Sequence, residues 1–394
     1  MPSKNSIIDD TVRMERISPH AVIHPGCRVR GENTLICQGV ELGHEAPVTI
    51  HNCYVGPGVK LKGGYFENAV FLEGAEAGSG AHVRGGTILE EQASIAHTVG
   101  LKQTILFPFV TLGSLINFCD CLMAGGTSRK NHSEVGSSYI HFNYTPNQDK
   151  ATASLIGDVP SGVMLNQPPI FLGGQGGMVG PCRIAYGTVT AAGSICRKDQ
   201  LKPGHLILEG KGRGGALPYT TGIYASVSRQ VTNNILYMGN LVALMAWYTH
   251  VRGMFVGKSY PAALHKGLVE VLETAIFERV KQFSVFCGKM EPSLRSYLEK
   301  FEKNANPRLI QQKTELHANA HHVKTIVSHW LSTMDDCRDK TVHAVFSQKA
   351  VTANYLDVIQ NLAPEAASAC TGWLQEIVNQ VGEDLFSLFP AIGS

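Results

Sequence analysis

The chain of 394 residues lacks an excess of either charge: 34 Lys and Arg face 32 Asp and Glu, the formal net charge is +2, and charged residues make up only 17%. Such balance argues against a broad basic surface for nucleic acid and, with 44% apolar residues, against long disordered tails. Paired cysteines are missing too. The ten cysteines show no CxxC spacing, and the closest pair, Cys119 and Cys121, would point to one side of a strand; buried free thiols in a reducing compartment are expected. No apolar run is long enough to cross a bilayer, since the best, Ile235 to Thr249, is short and holds Asn240. It reads as a buried helix. The opening ten residues, Met1 to Asp10, carry neither an apolar h-region nor an Arg-rich amphipathic pattern, which predicts a cytoplasmic protein. Glycine is scarce in one half only: of 41, 32 fall in residues 1–215 and 9 in 216–394.

What is present is a repeat of six. Ile17, Ile23, Val29 and Leu35 recur at that interval, and the period returns at Val55 and Leu61, at Leu89, Ile95 and Leu101, and at Ile184, Thr190 and Cys196. Neither the helical period of 3.6 nor the strand period of 2 fits. In a parallel β-helix each hexad forms one flat side with its aliphatic residue inward, and a small residue turns the corner. Val55-Gly-Pro-Gly-Val-Lys, Val135-Gly-Ser-Ser-Tyr-Ile and Ile156-Gly-Asp-Val-Pro-Ser carry that combination. Three sides make a coil of about 18 residues, so residues 15–205 supply up to roughly ten coils. The glycine tract Gly173 to Gly177 lacks the Lys-Ser/Thr of a phosphate loop and reads as a bulged corner or a loop.

Beyond residue 225 the period changes. Leu268, Leu272, Ile276, Val280 and Phe283 recur at three and four, as do Leu316, Val323, Val327, Trp330, Leu331 and Met334, the pattern of amphipathic helices. Pro364-Glu365 suits a helix first turn. The fold class expected is therefore a mainly β, left-handed parallel β-helix (residues 1–215) followed by an α-helical domain (216–394), joined through Gly210 to Pro218. Helices so placed are expected to cap the open end of the coil or to pack between subunits.

Asn143-Tyr144, followed by Lys150 and then Ile156-Gly157-Asp158, resembles the acetyltransferase domain of bacterial N-acetylglucosamine-1-phosphate uridyltransferases, and Gly187 to Lys198 is similar to its last coils. The close match covers about residues 130–200; the looser repeat marks the wider hexapeptide-transferase superfamily. The resemblance implies acetyl transfer from acetyl-CoA to an amino sugar phosphate, in a homotrimer with sites between adjacent β-helices. It implies that Asn143 and Tyr144 line the sugar and acyl-donor site, that Lys150 faces the sugar phosphate, and that Ala191, Ala192 and Gly193 lie along the pantetheine arm. No Gly-rich nucleotidyltransferase loop opens this chain, so uridyl transfer is unsupported. One hexad before Gly136 is missing, and the family's catalytic histidine region reads Gly125-Gly-Thr-Ser-Arg-Lys-Asn-His132-Ser-Glu.

An amine attacking a thioester must lose a proton, so one base near neutral pKa is required. Among 16 histidines, His132 and His141 lie beside the motif. His132 follows a loop-like stretch, whereas His141 alternates with Ile140 and Phe142 as a strand residue does. Arg129 and Lys130 are candidate phosphate ligands. His20, His24, His82 and His97 show no spacing of a known metal triad, and no metal is expected. The expected function is acyl-CoA-dependent transfer, N-acetylation foremost, to an amino sugar phosphate or nucleotide sugar, with no nucleic-acid or membrane partner. Two alternatives stand: a non-catalytic sugar-nucleotide-binding or scaffold protein, and a sugar-1-phosphate nucleotidyltransferase homologue without its catalytic domain.

Overall fold

The computed structural model describes residues 5–208, 219–347 and 354–393. Its first half is a parallel β-helix of three-sided coils, the architecture expected of a left-handed β-helix. Face I is a 10-stranded parallel sheet from Val22–Ile23 to Leu206–Ile207. Faces II and III form a 16-stranded sheet bent around one corner, because the long strands Gly100–Leu106 and Asn117–Met123 run through it. Gln103 and Asp120 make that bend at φ 53° and 60°.

The hexads stack as the period requires. On face II the inward column runs Val29, Ile50, Phe66, Val83, Leu101 and Phe118, each in register with the next and fully buried. Each such side chain contributes roughly 1.5–3 kcal/mol by leaving water. Leu35 departs from the expected period. It stands opposite Tyr54, whose hydroxyl turns outward to Glu270 Oε2 (2.7 Å), so Leu35 is also on the outer side and Ile36 takes the inward place.

The second half is helical: α2 (Ser228–His250), α3 (Ala262–Gly288), α4 (Met290–Phe301), α5 (Pro307–Ser332), α6 (Lys340–Ser347), α7 (Tyr355–Gln360), α8 (Pro364–Ser387) and α9 (Pro390–Gly393) follow α1 (Val159–Gly162), a short turn inserted in the coils. The run at Ile235 lies within α2, and no helix among the described residues is long and apolar enough to cross a membrane. The five periodic positions from Leu268 to Phe283 are buried on α3. Ile156-Gly-Asp-Val-Pro-Ser is not a further hexad: the Asp158 side chain accepts from the Ser161 N–H and starts α1. The linker Gly210 to Pro218 lies outside the described residues.

The helices do not cap the open end of the coil; they lie along face III of their own chain. α3 packs on the strands Tyr54–Val55, Ala69–Phe71 and Thr87–Leu89. Contact is close enough that a Cβ on Gly267 of α3 would meet the Tyr54 ring at 2.2 Å. A buried polar cluster adds to it: Arg252 pairs with Glu91 and, at 3.6 Å, with Glu90, while the Tyr248 hydroxyl donates to Glu90 (2.5 Å) and the Tyr355 ring lies 4.1 Å from the guanidinium. Burial pushes the Glu90 carboxyl up to about 7 against the pull of Arg252.

Candidate active site

Three insertions interrupt the coils between Met123 and Phe171. The first follows Met123. Gly125 and Gly126, at φ 103° and 98°, turn the chain into an antiparallel hairpin, Gly126–Ser128 against Asn131–His132. A Cβ on Gly126 would come within 2.5 Å of His132 Cα. Ser133 locks the base, its Oγ donating to the Ala124 carbonyl and accepting from the Ile170 N–H, both at 2.8 Å.

His132 leaves this hairpin at the edge of face I. Its side chain is 19% exposed and its Nε2 lies 3.7 Å from Glu134 Oε2. Nδ1 is buried without a hydrogen-bond partner. Glu134, not singled out from the sequence, was legible in principle: two residues on, in a strand, it faces the same way as His132. Arg129 folds back over the corner and its Nη1 donates to the Gln92 and Phe109 carbonyls and to Thr111 Oγ1 at 2.9–3.0 Å. Through Nη1 that guanidinium holds the hairpin down, while the residue as a whole stays exposed. Lys130, at the tip, is exposed.

From Glu134 an outward column continues through Phe171, Val189 and Leu206, each opposite the next. These three apolar side chains are 41%, 39% and 60% exposed. Ala191, Ala192 and Gly193 form the corner at the other edge of face I. A Cβ on Gly173, stacked beneath, would meet the Ala191 backbone at 2.5 Å, whereas Gly193 (φ 75°) opens on free space. The tract at Gly173 is thus a tight corner, with Gln175 at φ 52°.

Asn143, Tyr144 and Lys150 lie on the second insertion, at the corner between faces II and III, away from His132. Asn143 Nδ2 donates to Asp120 Oδ2 (2.5 Å), and Asp120 pairs at 2.7 Å with Arg279 of α3, both buried. The Thr145 and Tyr224 hydroxyls donate to Asp149 Oδ2 (2.5 and 2.7 Å), and the Gly222 N–H donates to Asn147 Oδ1 (2.9 Å). The loop is thereby fastened to the helical half. Tyr144 is 58% exposed, with Lys150 Nζ 6.0 Å from its ring.

His141 is elsewhere again. It occupies the inward column between Phe118 and Met178 and is 1% exposed. Nδ1 lies 2.7 Å from the Cys119 carbonyl, which only accepts, so the proton sits there; Nε2 then accepts from Ser154 Oγ at 2.8 Å. Burial holds this imidazole down to about 4. It is a satisfied core residue without access to a substrate, which corrects its candidacy as a base.

In a single chain the candidate residues therefore fall into two open groups. His132, Lys130 and the Ala191–Gly193 corner border face I, while Asn143, Tyr144 and Lys150 sit at the corner farthest from it.

No protein-family model matches the chain. The bifunctional protein GlmU of Pelobacter propionicus is 28% identical over 184 residues, 46% of this chain and 35% of that protein; its counterpart in Pseudomonas fluorescens is 29% identical over 135 residues, covering 34% and 26%. The chain thus spans about a third of the length of the curated relatives it matches. A solved structure of LpxA from Acinetobacter baumannii is 16% identical, covering 50% of this chain and 67% of that one, at a TM-score of 0.18, too low to carry an argument. Over a little under half of its length, then, the chain is similar in sequence to the GlmU proteins.

Proposed function

We propose that the chain transfers an acetyl group from acetyl-CoA to the amine of an amino sugar phosphate or nucleotide sugar, at a site completed by a second copy. The observation that carries this reading is face I itself. An exposed apolar strip, Phe171, Val189 and Leu206, runs between the His132–Glu134 pair at one edge and the bare Ala191–Gly193 corner at the other. A thin acyl-pantetheine arm suits that corner, since backbone lies within reach there and no bulky side chain blocks it, while the strip offers apolar surface beside it.

In this reaction the neutral amine attacks the thioester carbonyl, and His132 takes the proton released as the C–N bond forms. Since Nδ1 is buried, Nε2 is the accepting nitrogen, and the Glu134 carboxylate beside it stabilises the imidazolium. When the tetrahedral intermediate collapses, the C–S bond breaks and the imidazolium returns the proton to the leaving thiolate. The sugar phosphate calls for cations, for which Lys130 and the Lys150 of an adjacent copy serve. The loop of Asn143, Tyr144 and Lys150 reaches face I only from a neighbouring chain, which supports a closed homo-oligomer, a trimer by the family resemblance. Ten free thiols, nine of them buried, fit the reducing cytoplasm in which acetyl-CoA is made available.

The test is release of free CoA thiol on mixing the full chain, acetyl-CoA and glucosamine 1-phosphate or a UDP-amino sugar. His132→Ala is expected to lower turnover at least about 100-fold with the melting temperature unchanged. If no acyl-CoA shifts the melting temperature and no amino sugar is acetylated at millimolar donor, the reading fails. A non-catalytic sugar-nucleotide-binding protein then becomes the better one, favoured by the engagement of Asn143 and Arg129 in internal bonds.

A further inference from the structure

Near the N-terminal end of face I, three side chains converge that acyl transfer does not use. Glu41 lies on the strand Glu41–Leu42, opposite Val22. His24 directly follows the neighbouring strand Val22–Ile23, and His44 follows Gly43, whose φ of 86° turns the chain back. His24 Nε2 is 3.0 Å and His44 Nδ1 3.2 Å from the same oxygen, Glu41 Oε1. The ligand atoms of all three lie within 4.8 Å of one another. The imidazole planes stand 77° apart, so the rings splay while their nitrogens meet.

Those separations have a chemical meaning. Zinc-class ions hold His nitrogen and carboxylate oxygen at about 2.0–2.1 Å in a tetrahedron, whose edges are then about 3.3–3.4 Å. Two of the three edges here, 3.0 and 3.2 Å, are already close to that. Both imidazoles converge on one carboxylate oxygen. The nearby lysines pair elsewhere: Lys60, in register with Glu41, has its Nζ 3.5 Å from Glu76, and Lys62 lies between Glu45 and Glu76.

We propose that His24 Nε2, His44 Nδ1 and the Glu41 carboxylate bind one divalent ion of the zinc class, with water in the fourth position. Two imidazoles and one carboxylate are the ligand set of such ions rather than of calcium or magnesium, which prefer oxygen alone. The sequence hid the site because its ligands come from two coils, with Glu41 rather than a third histidine completing the set. It stands five strands along face I from Glu134, roughly 24 Å at the usual strand spacing, and is independent of the acyl-transfer reading.

The full chain, stripped with EDTA, is titrated with Zn²⁺ by calorimetry and with Co²⁺ by visible absorption. One ion per chain and the intense visible bands of four-coordinate Co²⁺ are expected. His24→Ala, His44→Ala and Glu41→Gln should each weaken binding beyond the 10-fold loss typical of an outer-shell partner. Replacing the unrelated histidine pair of α5, His321→Ala with His322→Ala, should leave it unchanged. Absence of binding, or equal affinity in the three variants, overturns the proposal. Glu41→Gln preserves side-chain shape, and decides the matter should an alanine variant fail to fold in EDTA melts.

Discussion

Face I and face III are built from the same coils, yet their outer sides have met opposite fates. Along face III the strands Ala69–Phe71, Thr87–Leu89 and Ser154–Ile156 are buried at every position, because helices cover the side that points away from the core. On face I the outer column is polar through Glu41, Lys60, Glu76, Ser94 and Thr111, then apolar and open through Phe171, Val189 and Leu206. The inward hexad therefore builds the coil and says nothing of what its outside does. That information sits in the outward residue, one position over.

The sharpest way to break this contrast is one chemical change made on each face. Val70→Asp places a carboxylate where the parent valine is fully buried between the coil and α3; a loss of more than about 4 kcal/mol is expected, seen as early unfolding in urea. Val189→Asp makes the same change where the side chain is 39% exposed. Its chain is expected to melt within a few degrees of the parent while the oligomer weakens in sedimentation. A loss comparable to that of Val70→Asp should follow from Arg252→Met, which leaves Glu90 and Glu91 buried beneath the helices without their cation; about 3–5 kcal/mol is expected from denaturant melts.

The core supplies a third, pH-dependent comparison. Folded His141 resists protonation until about pH 4, against 6.5 when unfolded. Burial, with Arg279 acting in the same direction, outweighs Asp120 and the Cys119 carbonyl, which favour its charged form. A depressed folded value means that this stability is complete above pH 6.5 and is lost as pH falls through the window to 4, on the order of 3 kcal/mol in all. His141→Met, matching Met178 beside it in the column, should flatten stability across that window.

Much of this was legible in the residues. Ile23, Val29, Leu61 and Leu101 point inward as their period requires, and Leu268 to Phe283 form one buried helix face. The lie of the helices was missed although a signal existed: triplets such as Ala69-Val-Phe and Cys121-Leu-Met are apolar on both sides, as strands covered on both faces must be. His141 lies beside Asn143-Tyr144 in the sequence, but its alternation with Ile140 and Phe142 puts it inside and those two outside. The role of Arg129 depends on which carbonyls a folded-back hairpin meets, and the His24, Glu41 and His44 cluster on which coils stack. Neither is a property of spacing along the chain.

The Arg252 cluster also gives the prism a back. With face III closed by helices, the closed oligomer proposed above has faces I and II of the coil to build with. A segment that carries none of the candidate chemistry would then decide how the chemistry is assembled, by leaving each copy a single orientation toward its neighbours.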